Sequence, residues 1–408
     1  YSINTENGLI TQLTNFRIID NDEEGSERRA RNNSGNRIQD NWLREDQITT
    51  SDILKEQRNR PRRNFRGFSR FGGSFGNNDN RDAIELDNIR GIQLSPDGKY
   101  VSFSVYHAPE NPARRTIVPN YVTQSGYTED LNARSKVGGD QGYSEMGIYN
   151  VEADTFYMID HSQIPGITDL PDYVTDYPDK EWEEKERVVS ANDIIWSEDV
   201  KYAVLHFGAH DNKDRWIMRL LPQNGDLISI DRQRDEAWIA GPGIGQEYGS
   251  GTFGFLPDNK TIYFQSEKSG YSHLYTYDLS NGTMKQLTSG DYEVYNPRLS
   301  EDGKTWYFTA NMKHPGIRHF YSMPLKGGKP TQITTMDGNN EVTMSPDEKT
   351  LAIEYSYKDK PTELYVMENK PQAEMKQLTE SLKDGFKQYD WHEPEVITFK
   401  AEDGEDVY

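Results

Sequence analysis

The sequence has no cysteine among its 408 residues. A disulfide framework and cysteine-ligated zinc are therefore excluded, while cytoplasm and an exported bacterial location both stay open. Apolar residues are scarce, at 34%, and no apolar run approaches the ~18 residues that a membrane helix needs. Positive charge is in deficit, with 46 Lys and Arg against 67 Asp and Glu and a formal charge of −21. That balance argues against general nucleic-acid binding, which needs cations to displace phosphate counterions. The eight histidines are scattered, and none stands in a His-Glu-x-x-His pattern or another close ligand spacing. His206 and His210 could share a loop rim with Asp211, but the plainer reading is strand-end histidines making ordinary hydrogen bonds. The first residue is Tyr1 and not Met, so the native start, with any signal peptide, is expected upstream.

What is present is a repeat. Aromatic residues make up 12% and Gly numbers 33, a composition suited to short strands and turns. A turn phrase recurs at Ser95-Pro96-Asp97-Gly98-Lys99, Ser197-Glu198-Asp199-Val200-Lys201 and Leu256-Pro257-Asp258-Asn259-Lys260. It returns at Ser300-Glu301-Asp302-Gly303-Lys304 and Ser345-Pro346-Asp347-Glu348-Lys349, each copy leading into an alternating or aromatic-rich run. Pro presets such a turn, Asp accepts backbone hydrogen bonds, and Gly or Asn supplies positive φ. A second phrase closes each unit in Leu-Thr or Ile-Thr, at Thr288, Thr334 and Thr379, with a further copy at Ile3 to Thr14.

The turn aspartates are 102, 59, 44 and 45 residues apart. A unit of ~40–45 residues with about four short strands is the signature of a β-propeller blade. The expectation is an all-β propeller of four-stranded blades. About six are recognisable, five complete and one represented by its tail, and the longer spacings hold loop insertions. A β-sandwich with chance turn similarity is the competing fold.

The expected organisation is the end of a blade at 1–14, a helical and Arg/Gly-rich insertion at 15–80, blades at 81–390 and a linker strand at 391–408. Within the insertion, Asn41 to Arg60 reads as one or two amphipathic helices. Lys55 to Arg70 is basic and superficially like an RNA-binding tract, but a loop whose arginines pair with acidic neighbours suits this acidic chain better. Gly72-Gly73-Ser74-Phe75-Gly76 matches a nucleophile elbow only formally, because neither a preceding buried strand nor a following helix is legible. Gly241-Pro242-Gly243-Ile244-Gly245 lacks the Lys-Ser/Thr of a phosphate cradle and reads as a loop. No catalytic residue, metal ligand or cofactor site is expected in the chain.

The order of these phrases resembles the N-terminal propeller region of the prolyl oligopeptidase family of serine peptidases, in its dipeptidyl-peptidase-like and acylaminoacyl-peptidase-like branches. The carriers are the blade turns, Asp211-Asn212-Lys213-Asp214-Arg215-Trp216 and Asp231-Arg232-Gln233-Arg234-Asp235-Glu236-Ala237-Trp238. Ser269 to Tyr275, His314-Pro315-Gly316 and Asn339 to Thr343 add to them, and Pro394 to Tyr408 looks like a strand leading into an α/β-hydrolase domain. The resemblance implies a parent protein with about seven or eight blades. It further implies a substrate-gating propeller in an exported bacterial peptidase, periplasmic or at the cell surface, whose Ser-Asp-His triad lies after Tyr408. The implied partners are a peptide substrate and the hydrolase domain of the same polypeptide, with self-association left open. In the dipeptidyl-peptidase branch a propeller Glu pair holds the substrate ammonium. Glu183 and Glu184 stand at about the matching place, although Lys185 and Arg187 interrupt the pattern and another register favours Glu186. The plain alternative is a solvated charged face. A TolB-like propeller acting purely as a binding or assembly module shares the same blade turns.

Overall fold

The computed structural model describes residues 2, 3, 6, 8, 10–18, 84–86, 88–109, 116–124, 126–134, 141–192, 194–245 and 251–408. The helices expected between Asn41 and Arg60, the basic tract from Lys55 to Arg70 and the Gly72-to-Gly76 motif lie outside the described residues.

Five antiparallel sheets follow one another along the chain, each a meander in sequence order. The first blade consists of Ile89–Leu94, Tyr100–His107, Tyr143–Asn150 and Thr155–Met158. In the second, Val189–Ala191 and Ile195–Trp196 share the first position, followed by Ala203–Ala209, Asp214–Leu221 and Asp226–Arg234. The third runs through Phe253–Phe255, Thr261–Ser266, His273–Asp278 and Thr283–Gln286. Val294–Leu299, Thr305–His314, Ile317–Pro324 and Thr331–Gln332 form the fourth. Asn339–Met344, Thr350–Tyr357, Lys360–Glu368 and Lys376–Gln377 form the fifth. The chain is a β-propeller. Ser2–Ile3 pairs with Ile10–Thr11 in a separate hairpin, and Phe16–Ile18 lies parallel to Ile84–Leu86. The wide spacing between the first two turns is filled by a hairpin, Thr116–Asn120 with Glu129–Ala133, and by a long link at 159–188.

The turn phrase folds through its serine and aspartate. Ser95 Oγ donates to Asp97 at 2.7 Å and accepts the Tyr100 N–H at 3.0 Å. The same pair of bonds forms at Ser197, Ser300 and Ser345. In the Leu256 copy no hydroxyl is available, and Asp258 instead accepts from the N–H and the hydroxyl of Thr261. The fourth turn residue has positive φ in every copy: Gly98 72°, Val200 56°, Asn259 58°, Gly303 68° and Glu348 58°.

The closing threonine ties the end of a blade back to its third strand. Thr288 Oγ1 accepts the Leu274 N–H at 3.0 Å, and Thr334 Oγ1 accepts that of Phe320 at the same distance. The Gly290 carbonyl can only accept, so the neutral His273 ring donates to it from Nε2–H at 2.9 Å, and Nδ1 accepts from the Thr288 hydroxyl. Thr379 repeats the motif with Leu364 and Glu363.

Side chains alternate across a strand, so each sheet has two faces to bury. Along Ala203–Ala209, Ala203, Leu205, Phe207 and Ala209 pack with Met146 and Ile148 of the first blade. Val204, between them, packs with Ile262 and Phe264 of the third. Trp306, Phe308 and Ala310 face the third blade, and Tyr307 turns to the fifth. The core is thus a series of layers between successive blades. Among the described residues no helix is long and apolar enough to cross a membrane.

Two substitutions test this account. Val200 is a β-branched residue held in the left-handed region, so Val200→Gly should raise stability by about 1 kcal/mol, seen as a higher midpoint in urea. Thr334→Val keeps the shape but strands the Phe320 N–H and removes the His319 contact, so urea melts should show a loss of about 2 kcal/mol.

Candidate functional site

The meander assigns every loop to one end of the propeller or the other. Links from first to second strand, which are the Ser/Asp turns, fall at one end. Links from second to third strand, and from one blade to the next, fall at the opposite end. That second end therefore carries the 116–133 hairpin, the 159–188 link with Glu183 and Glu184, and the turn with His210 and Asp211. The C-terminal segment lies there too: Lys358 donates to Glu393 at 3.1 Å and to the Pro394 carbonyl at 2.9 Å. The ring of His314 meets that of Tyr408 edge-on at 4.8 Å.

The strongest electrostatic feature at this end is a carboxylate inside a cage of arginines. Asp214 opens the third strand of the second blade with its side chain 0% exposed. It accepts from Arg187 Nη1 at 2.6 Å, Arg234 Nη1 at 2.6 Å and Arg232 Nε at 2.8 Å. Burial alone would push its pKa up, but the hydrogen bonds and charges of Arg232 and Arg187 outweigh that and hold it below the usual carboxylate value. The arginines in turn reach into the 159–188 link. Arg232 pairs with Asp169 at 2.7 Å, Arg234 with Asp172 at 2.9 Å, and Arg187 Nη2 donates to the Gly166 carbonyl at 2.9 Å. Trp216 lies beneath Arg187 and Arg232 and donates its indole N–H to the Pro165 carbonyl at 2.9 Å. Gly166 has φ of 70°, and a Cβ there would collide with the Arg232 guanidinium and the Asp169 carboxylate. The network clamps the link onto the second blade.

Glu183 and Glu184 are exposed on the irregular part of this clamped link, as is Glu186. None of the three has a hydrogen bond or ion pair among the described residues. Their neighbour Trp182 is half-buried, packed edge-on against Tyr173 at 5.6 Å with the Lys180 ammonium 3.8 Å from its ring centre. Arg187, which interrupts the acidic run in sequence, is the residue turned inward. His206 is buried in its strand, with Nδ1 2.6 Å from Asn192 Nδ2, and His210, in the turn just after that strand, has Nε2 2.7 Å from Ser190 Oγ. Gly241 to Gly245 is a loop that packs against Gln265 and Glu267.

The family model for the dipeptidyl peptidase IV (DPP IV) N-terminal region matches residues 83–362. The chain belongs to this family. The DPP IV N-terminal blades also align with two solved structures. One, from Bacteroides ovatus and assigned as a dipeptidyl aminopeptidase IV, is 19% identical with a TM-score of 0.51, covering 78% of this chain and 43% of that one. The other, Porphyromonas gingivalis dipeptidyl peptidase 4, is 18% identical with a TM-score of 0.52, covering 77% of this chain and 40% of that one. The chain therefore spans less than half the length of either.

The arginine cage was not singled out in the sequence reading, although a signal for it exists. Arg232 and Arg234 occupy alternate positions of one strand, and Asp214 pairs with Arg234 across the ladder. Charges on one side of a buried sheet demand a partner.

Because the folded pKa of Asp214 lies below the ~3.9 of an unfolded Asp, its stabilisation is full above that value and is lost as pH falls through the folded one. Asp214→Asn should cost about 3–5 kcal/mol at pH 7, since three arginines lose a buried counter-charge. Urea melts should show the gap between variant and parent narrowing below pH 4.

Proposed function

We propose that this chain is the substrate-gating, non-catalytic propeller of an exported bacterial serine peptidase, periplasmic or at the cell surface. In this reading an α/β-hydrolase domain of the same polypeptide supplies a Ser-Asp-His triad: Ser attacks the peptide carbonyl, His moves the proton and Asp orients the His. The propeller covers that centre, admits peptides and excludes folded proteins. The observation that carries the proposal is the DPP IV N-terminal match over residues 83–362. It is supported by the layout of the loop-bearing end, where the clamped link and the C-terminal segment share one surface.

On that surface Glu183 and Glu184 hold the ammonium of the substrate. Two free carboxylates on a segment fixed by the Asp214 cage can accept charge-assisted hydrogen bonds from a cation without first reorganising.

Two measurements test the reading. The intact polypeptide should hydrolyse dipeptidyl or acyl-aminoacyl chromogenic substrates, while residues 1–408 alone should not. Hydrolysis by the 408-residue chain would remove the non-catalytic reading, and hydrolysis by neither would leave a TolB-like binding module. Reversing both charges, Glu183→Lys with Glu184→Lys, should raise KM on the order of tenfold for peptides with free amino termini and leave acyl-capped peptides unchanged. An unchanged KM for peptides with free amino termini retires the glutamates.

A further inference from the structure

The link clamped by the arginine cage carries more charge and more aromatic surface than its anchoring uses. Between Asp169 and Glu186 it has eight carboxylates against two lysines, Lys180 and Lys185. Asp169 and Asp172 are taken up by Arg232 and Arg234. The other six, Asp176, Asp179, Glu181, Glu183, Glu184 and Glu186, are exposed.

Three aromatic rings stand among these carboxylates. Tyr173 and Trp182 meet with ring centres 5.6 Å apart, and Tyr177 lies 6.5 Å from each. The planes are steeply inclined, at 87° between the tyrosines and at 70° and 59° between each of them and Trp182. A small satellite core would bury such rings, yet Tyr173 is 43% exposed and Tyr177 57%. The cluster is bracketed by the clamp: Asp172, just before Tyr173, pairs with Arg234, and Arg187, shortly after Trp182, pairs with Asp214. Between them a turn preset by Pro178 closes with the Lys180 N–H donating to the Tyr177 carbonyl at 3.1 Å. That turn leaves the Lys180 ammonium 3.8 Å from the Trp182 ring centre. The rings already carry a cation of the chain's own.

Charge decides what else they can carry. An anion would approach six like charges, and an apolar partner would have to strip water from them. A cation gains from the ring faces and the carboxylates together. Lys180 is itself exposed, so its hold on the ring is the weak kind that a second cation can replace. We propose that Tyr173, Tyr177 and Trp182 form a seat for the cationic side chain of an arginine or lysine in a peptide ligand, which displaces Lys180 from the Trp182 ring. The seat deepens the peptide-handling role proposed above and rests on it for the nature of the ligand. Because the clamp holds the rings in place, little ordering is needed when the ligand arrives.

The experiment is a ¹⁹F NMR titration of the 408-residue chain, labelled with 5-fluorotryptophan, with capped tripeptides in which glycines flank arginine, lysine or citrulline. The Trp182 signal is assigned by its loss in Trp182→Phe. Arginine and lysine peptides should shift it saturably, and saturation by one alone tells which of the two cations the seat takes. Citrulline keeps the shape of arginine without its charge, and its peptide should bind roughly fivefold more weakly or worse. Tyr177→Leu should weaken the cationic peptide about threefold while its urea midpoint stays at the parent value. Lys180→Gln should tighten binding roughly two- to fivefold, the equivalent of the ~0.5–1 kcal/mol of an exposed cation–π contact. No saturable Trp182 shift with either cation, equal binding of the citrulline peptide, unchanged binding in Tyr177→Leu, or binding no tighter in Lys180→Gln would each overturn the proposal. The probes have no free amino terminus, so the ammonium role of Glu183 and Glu184 is read separately. An inactive intact polypeptide would count against the peptidase reading and leave this titration as it is.

Discussion

Each of the first four blades is apolar on both sides, and that constraint organises the rest. A blade with Phe207 and Leu205 on one face and Val204 and Ile217 on the other cannot bury both sets by itself. Stacking against a neighbour on each side is the only way to remove both faces from water, and at roughly 25 cal/mol per Å² of apolar surface the gain is large against the marginal stability of a domain. The same constraint explains how Trp306 and Tyr307, adjacent in sequence, belong to different core layers. The fifth blade is apolar on one face only. Leu351, Ile353 and Tyr355 are buried toward the fourth, while Ala352 and Glu354 of the same strand stay exposed.

With hydrophobic layers holding the blades, polar chemistry is left to fix the loops, and it does so differently at the two ends. At the Ser/Asp turns the bonds are local, spanning two to five residues, and the result is a set of near-identical corners. At the opposite end the bonds are long-range. Asp214 gathers Arg187, Arg232 and Arg234, and through them Asp169 and Asp172, so that a link of some thirty residues lies where one carboxylate holds it. Buried ion clusters contribute uncertain net stability but a great deal of geometric definition.

The legible and illegible parts of the sequence divide along this line. The turn phrase could be read because its physics is confined to five residues, each needed for a local reason, and the Leu-Thr phrase marked a real junction although the hydroxyl's role as a latch was not evident. Glu183 and Glu184 drew notice as an acidic pair, whereas Arg187 looked like an interruption. In the folded chain Arg187 is the anchored residue and the two glutamates face solvent. Nothing within the Glu181-to-Arg187 run could have shown this, because the partner that turns Arg187 inward is 27 residues further on. The contact of Ser190 with His210 was hidden for the same reason, being made between one strand and the turn that follows its neighbour.

By itself, the sequence determined the propeller: the spacing of its turns, the residues of positive φ within them and the two-faced strands all follow from nearest-neighbour sterics and side-chain periodicity. The tertiary structure decided which charges are buried and which are exposed. Those outcomes depend on the dielectric surroundings and partners that each group meets after blades distant in sequence have been stacked side by side.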